Sequence, residues 1–141
     1  MFIYKKKVRF SEVDAAGVVF FTRALEYFHM AYEDFMASIG LDLHQQFIQA
    51  GTALPVVHVE ADYKRAMKVG ETLDVHVAVE SIGTRSYTMK YHITGADGTL
   101  RVTGRIKNVF VDGDFKSSSI PEPMREKLGA LVHPASHDAR G

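Results

Sequence analysis

Residues 8–21 read VRFSEVDAAGVVFF, and residues 22–39 behind them read TRALEYFHMAYEDFMASI. The first stretch closes a strand-like run at Phe10–Ser11, turns through Asp14, two alanines and Gly17, and recovers four apolar residues. The second predicts a long amphipathic helix over about 22–39, because Leu25, Phe28, Tyr32, Phe35 and Ile39 recur at spacings of three and four. Thr22 suits an N-cap, and Gly40 ends the helix. A carboxylate therefore stands in a tight turn beside a helix N-terminus, where unpaired N–H groups can hold developing negative charge. Two readings are open. Asp14 is an Asx-turn residue that shapes the loop, or it is a reacting carboxylate beside an oxyanion site, which points to acyl transfer or hydrolysis.

On the N-terminal side, residues 2–11 alternate, with Phe2, Tyr4, Val8 and Phe10 on one face and Lys5, Lys7 and Arg9 on the other. Lys6 falls on the apolar face, where a place near an end or edge lets its ammonium reach water. Beyond the helix, Asp42 and Gly51 bracket a short helix at roughly 42–50. Residues 53–65 predict a strand with Val57, Val59, Ala61 and Tyr63 on one face and His58, Glu60, Asp62 and Lys64 on the other. Residues 71–81 and 85–95 alternate cleanly. Asp97–Gly98 then signals a hairpin into a long strand over 99–112. Its apolar phase changes near Asn108, which predicts a bulge or a new covering partner there. A helix over 121–132 begins at the proline pair, and residues 133–141 read as a frayed, flexible tail.

One helix against about five antiparallel strands is an α+β sandwich in a single domain over 1–132. Its edges would stay exposed in a monomer, so a dimer joining two sheets is expected. Lys+Arg and Asp+Glu balance at 17 each, which leaves no global field to recruit nucleic acid or an acidic membrane. The absence of cysteine excludes disulfides, thiolate–zinc sites and a cysteine nucleophile, and suits a reducing cytoplasm. No apolar run approaches transmembrane length, so neither a membrane nor a targeting segment is expected. The seven histidines form no H-E-x-x-H or H-x-H pair, so no metal and no cofactor is assigned.

The strings DAAGVVFF, AYEDFMASIGL and ALPVVHVEADYKRAM, spread over residues 4–112, resemble the hotdog-fold thioesterases of the 4-hydroxybenzoyl-CoA thioesterase type. Within that family they look most like the 1,4-dihydroxy-2-naphthoyl-CoA hydrolases of quinone biosynthesis. The resemblance implies a long central helix wrapped by the sheet, and homodimers paired into homotetramers. It also implies hydrolysis of an aromatic acyl-CoA thioester. Asp14 would act as nucleophile or general base, and backbone N–H groups near Phe21 would hold the oxyanion. One branch of the family carries a histidine seven residues after the motif aspartate. Phe21 stands there instead, so the chemistry rests on Asp14 and backbone dipoles.

Gly17 would let the backbone approach the acyl group or take positive φ. Phe20, Phe21 and Tyr27 would line an apolar acyl pocket, or simply fill the core. His58 would meet a polar group on the acyl ring. Arg85 and Ser86 in GTRSY (83–87), with Lys64 and Arg65, would meet the CoA phosphates; Arg101 and Arg105 are weaker candidates. The alternatives are a thioesterase for aliphatic acyl-CoA or acyl carrier protein, and a non-catalytic acyl-CoA sensor. A hydratase fits less well, because no histidine neighbours Asp14 in sequence.

Overall fold

The computed structural model describes residues 1–132; the tail expected over 133–141 lies outside the described residues. Five strands and two helices follow one another as β1 (Phe2–Lys7), α1 (Arg23–Ser38), β2 (Val56–Tyr63), β3 (Thr72–Ile82), β4 (Ser86–Thr94), β5 (Leu100–Val109) and α2 (Glu122–Gly129). The strands form one antiparallel sheet in the order β1-β3-β4-β5-β2. β2 therefore skips its sequence neighbours and pairs at the far side of β5. Two compact units divide the chain. One holds Met1–Phe35, Glu60–Val77 and Tyr91–Gly104; the other holds Met36–Val59, Ala78–Lys90 and, of the described residues, 105–132.

In the first unit, β1 runs antiparallel to β3 with Phe2 opposite Val77 and Lys7 opposite Thr72. The strand is shorter than the expected 2–11. Residues Phe10–Glu12 form a single 3₁₀ turn instead, which rotates Phe10 out to 85% exposure rather than onto the apolar face. The expectation that Lys6 lies near an end or edge with its ammonium in water is corrected. Lys6 is buried, and its ammonium lies 3.0 Å from the equally buried Glu12 carboxylate. α1 buries Ala24, Tyr27, Phe28, Ala31, Tyr32 and Phe35, a seam one position broader than the expected stripe, while Leu25 is only half-buried. The Phe28 ring stacks on Tyr91 of β4 at 4.7 Å between centroids. A Cβ on Gly104 of β5 would stand 2.5 Å from the Phe28 ring and 2.9 Å from the Glu60 carbonyl, so helix and strand meet at a distance only glycine permits.

Arg101, a weaker candidate for the CoA phosphates, is not a surface cation. It is buried and grips Glu71 with two hydrogen bonds of 3.0 and 2.8 Å, while also donating to the Ala66 carbonyl at 2.9 Å. The bulge lies here rather than near Asn108. The consecutive N–H groups of Lys64 and Arg65 both donate to the Arg101 carbonyl, two residues opposing one.

In the second unit, Gly40 takes φ +82° at the end of α1. The Leu41 N–H reaches back to the Met36 carbonyl and the Gly40 N–H to that of Ala37, which satisfies the last turn. The segment expected as a short helix is a wide π-type turn over His44–Ile48, with the Asp42 carboxylate accepting the Gln45 N–H at its entry. β5 keeps its phase: Ile106, Asn108 and Phe110 are all buried. An amide occupies an apolar-face position there because its nitrogen donates to the Leu54 carbonyl at 2.8 Å. Arg105, on the opposite face, pairs with Glu80 at 2.8 Å. α2 starts behind Pro121, with Met124 and Leu128 buried. Among the described residues, no helix is long and apolar enough to cross a membrane.

Candidate active site

Residues 13–19 of the first unit form a miniature hairpin, closed by a bridge between Val13 and Val19. The Asp14 N–H donates to the Val18 carbonyl at 2.8 Å, and the Gly17 N–H donates back to the Asp14 carbonyl at 3.0 Å. Gly17 takes φ +76°, a conformation β-carbons resist, yet a Cβ there would meet only Val69 at 3.9 Å. The glycine serves the turn, not a tight protein contact. A second ribbon holds the hairpin from outside, through Val19 N–H to the Met67 carbonyl and Val69 N–H to the Gly17 carbonyl.

Inside this turn the exposed Asp14 side chain does what an Asx residue does. Its Oδ1 accepts the Ala16 N–H at 2.8 Å and the Val18 N–H at 3.2 Å. Both bonds end on the same oxygen, and Oδ2 carries no hydrogen bond among the described residues. The structural and chemical readings of Asp14 are therefore compatible. The loop then runs into α1. The Phe20 N–H is spent on the Glu12 carbonyl, whereas the Phe21 and Thr22 N–H groups have no acceptor among the described residues. The Phe21 carbonyl accepts the Tyr63 hydroxyl. The rings of Phe20 and Phe21 are exposed and lie 4.9 Å apart.

Tyr27 does not join those two rings. It is fully buried, and its hydroxyl donates to Glu12 Oε1 at 3.0 Å. Burial and the neighbouring Glu12 carboxylate push that hydroxyl well above the usual phenol range. Glu12 itself is pulled two ways. Burial raises its carboxyl, but the Arg9 N–H, the Lys6 ammonium and the Tyr27 hydroxyl together bring it below its ordinary value. Sequence reasoning passed over Glu12, Lys6 and Tyr63 as site residues. The available signal was Lys6 itself, a cation on the apolar face of a strand, which demands a buried counter-charge.

The remaining expected residues are spread over the fold. Lys64 and Arg65 are exposed and sit at the bulge of the first unit, as described. His58 is exposed on β2 in the second unit. Arg85 is exposed in the second unit; its guanidinium donates to Ser117 at 3.3 Å, and the Ser86 carbonyl closes the turn by accepting the Gly83 N–H. A cavity of about 220 Å³ in the second unit, lined by Leu41, Phe47, Phe110, Pro121, Met124 and Lys127 among others, contains none of the expected residues. Among the described residues, no three His, Cys, Asp or Glu side chains converge to hold a metal ion.

The family model described as the thioesterase-like superfamily matches residues 8–128. The chain belongs to that superfamily. This thioesterase-like chain is 35% identical over 140 residues to a 1,4-dihydroxy-2-naphthoyl-CoA hydrolase from Nostoc punctiforme, a match covering 99% of this chain and 92% of the relative. It is 32% identical over 134 residues to the 1,4-dihydroxy-2-naphthoyl-CoA hydrolase of Thermosynechococcus vestitus, covering 94% and 92%. Among solved structures, a 1,4-dihydroxy-2-naphthoyl-CoA thioesterase from Synechocystis superposes with a TM-score of 0.85 at 27% identity, covering 94% of this chain and 98% of that one. The sequence resemblance to hotdog thioesterases thus holds at the level of the superfamily and of the enzyme class, thioester hydrolase.

Proposed function

We propose that this protein hydrolyses an aromatic acyl-CoA thioester, with 1,4-dihydroxy-2-naphthoyl-CoA as the leading substrate. The observation that carries the chemistry is the Asp14 hairpin, which pins an exposed carboxylate in the loop leading to the Phe21 and Thr22 N–H groups, both without an acceptor among the described residues. The names of the relatives supply the acyl group. Two routes use the same atoms. Asp14 Oδ2 attacks the thioester carbonyl, the C–S bond breaks to release CoA thiolate, and water opens the mixed anhydride. Alternatively, Asp14 takes a proton from a water that attacks the same carbon, and the tetrahedral intermediate collapses with C–S cleavage to the free acid and CoA. In both, the Phe21 N–H meets the tetrahedral oxyanion, a role worth about 3–4 kcal/mol of barrier per donor.

The exposed Phe20 and Phe21 rings suit stacking against an aromatic acyl group, and Gly17 keeps the turn that presents it. His58 is assigned to a polar group of that ring, and Lys64, Arg65, Arg85 and Ser86 to the CoA phosphates. The working molecule is a single hotdog domain over 1–132, with α1 as the long central helix wrapped by the sheet. It acts in the cytoplasm as a homodimer, paired into a homotetramer. β2 supports the dimer: this edge strand leaves Val56, Val57, Val59 and Tyr63 each more than 40% exposed.

The test is free-thiol release from dihydroxynaphthoyl-, 4-hydroxybenzoyl-, phenylacetyl- and aliphatic acyl-CoA, with Asp14→Asn alongside wild type. Fast release from one aromatic thioester that is lost in Asp14→Asn supports the reading. Binding without turnover, preference for aliphatic chains, or turnover indifferent to Asp14 overturns it.

A further inference from the structure

The hairpin that carries Asp14 is fastened at both ends by hydrogen bonds that do not involve the Asp14 side chain. At the near end stands Glu12, two residues before Asp14 and 7% exposed. Its Oε1 accepts the Arg9 N–H at 2.9 Å and the Tyr27 hydroxyl at 3.0 Å, and Oε2 faces the Lys6 ammonium at 3.0 Å. Its backbone carbonyl accepts the Phe20 N–H at 3.0 Å, which ties the far end of the loop to the near end. The Phe21 carbonyl is then held by the Tyr63 hydroxyl.

A buried ion pair adds little net stability, because desolvation offsets the attraction and an apolar pair of similar volume often does as well. What directional bonds add is a single geometry for the backbone that they hold. We propose that Glu12 is a positioning residue for the thioesterase reaction: fixed by Lys6 and Tyr27, it sets the separation between the Asp14 carboxylate and the Phe21 N–H. This rests on the catalytic reading of Asp14 above. It also gives Tyr27 a role through Glu12 instead of in the pocket wall.

Steady-state thiol release separates the possibilities, using wild type, Asp14→Asn, Tyr27→Phe and the paired change Lys6→Met with Glu12→Leu. Misplacing a reacting group by about 1 Å costs on the order of a hundredfold, so we expect kcat to fall about tenfold in Tyr27→Phe and about a hundredfold in the paired variant, with KM held within about twofold. The paired variant should melt close to wild type. Added to Asp14→Asn it should lower the rate no further, since groups acting as a unit are not additive. Should Asp14→Asn keep full activity, the catalytic reading falls and this proposal with it. If Asp14→Asn is inactive while folded Tyr27→Phe and the paired variant keep wild-type kcat, the positioning role alone is overturned. A rise in KM at constant kcat in Tyr27→Phe makes it a pocket residue and also overturns the proposal. Where the paired variant does not fold, Tyr27→Phe decides alone.

Discussion

Asp14 and Glu12 are carboxylates two residues apart with opposite surroundings, one exposed in a turn and the other sealed under it. Asn at position 14 still offers an oxygen to the Ala16 and Val18 N–H groups, so Asp14→Asn should leave the melting temperature unchanged. The same variant should lose about 10²–10⁴ in kcat, the usual contribution of a positioned acid–base group. Calorimetry beside thiol release reads both halves of that expectation. Lys6→Met alone is a different case, for it strands the buried Glu12 carboxylate. It should cost about 3–5 kcal/mol in urea unfolding, most of which the added Glu12→Leu restores. Acid should act on the same group. Glu12 and Glu71, the latter held by the Arg101 guanidinium, both titrate below the ordinary value of 4.5 in the folded chain. The unfolded chain then binds more protons in that window. Stability is therefore full above about pH 5 and declines as pH falls through the lower folded values. Unfolding curves at neutral pH and near pH 4 test this, and the paired Lys6→Met, Glu12→Leu variant should show a shallower decline. The turn at Asp14 was legible in the sequence because Asp-x-x-Gly before an apolar run suits an Asx-type turn. Glu12 was not, because a glutamate between Ser11 and Val13 looks like any surface carboxylate until the folded position of Lys6 is known.

At the scale of elements, periodicity read the strands well and failed where one residue broke the pattern for a local reason. β3 and β4 fall where alternation put them, since Leu73, Val75, Val77 and Val79, and then Tyr87, Met89, Tyr91 and Ile93, are buried. β5 misled because Asn108 occupies an apolar-face position, and only its hydrogen bond to Leu54 explains the choice. The 3₁₀ turn at Phe10–Glu12 shortened β1 for a comparable reason: the Glu12 side chain reaches back to the Arg9 N–H, and this local bond competes with the ladder. The contact between α1 and β5 depends on Gly104. Adding one methyl there forces the Phe28 ring and the Glu60 carbonyl to give way, so Gly104→Ala should destabilise the protein by about 1–3 kcal/mol. Chemical denaturation measures it, and a neutral result would show that α1 can shift at no cost.

For the molecule as a whole, β2 is the strand that carries the most exposed apolar surface, and this supports association with a second copy through it. A charge on such a strand is the usual guard against pairing, so Val57→Lys should break the proposed homodimers and lower the assembled mass in size-exclusion chromatography with light scattering. An unchanged mass would place the interface elsewhere. Sequence alternation located β2 but gave no hint of its position in the sheet, because pairing order is set by contacts across the chain. That order has a consequence in time. β2 leaves the ribosome before β3 and β4, yet among the described residues its neighbour in the sheet is β5, the last strand there to be made. At roughly 5–20 residues per second, Val56, Val57 and Val59 wait several seconds with no neighbour in their own chain. The nascent protein therefore passes through an interval in which its stickiest strand is bare. Synthesis that stalls between β2 and β5 should yield aggregates sooner than synthesis that stalls before β2 is made.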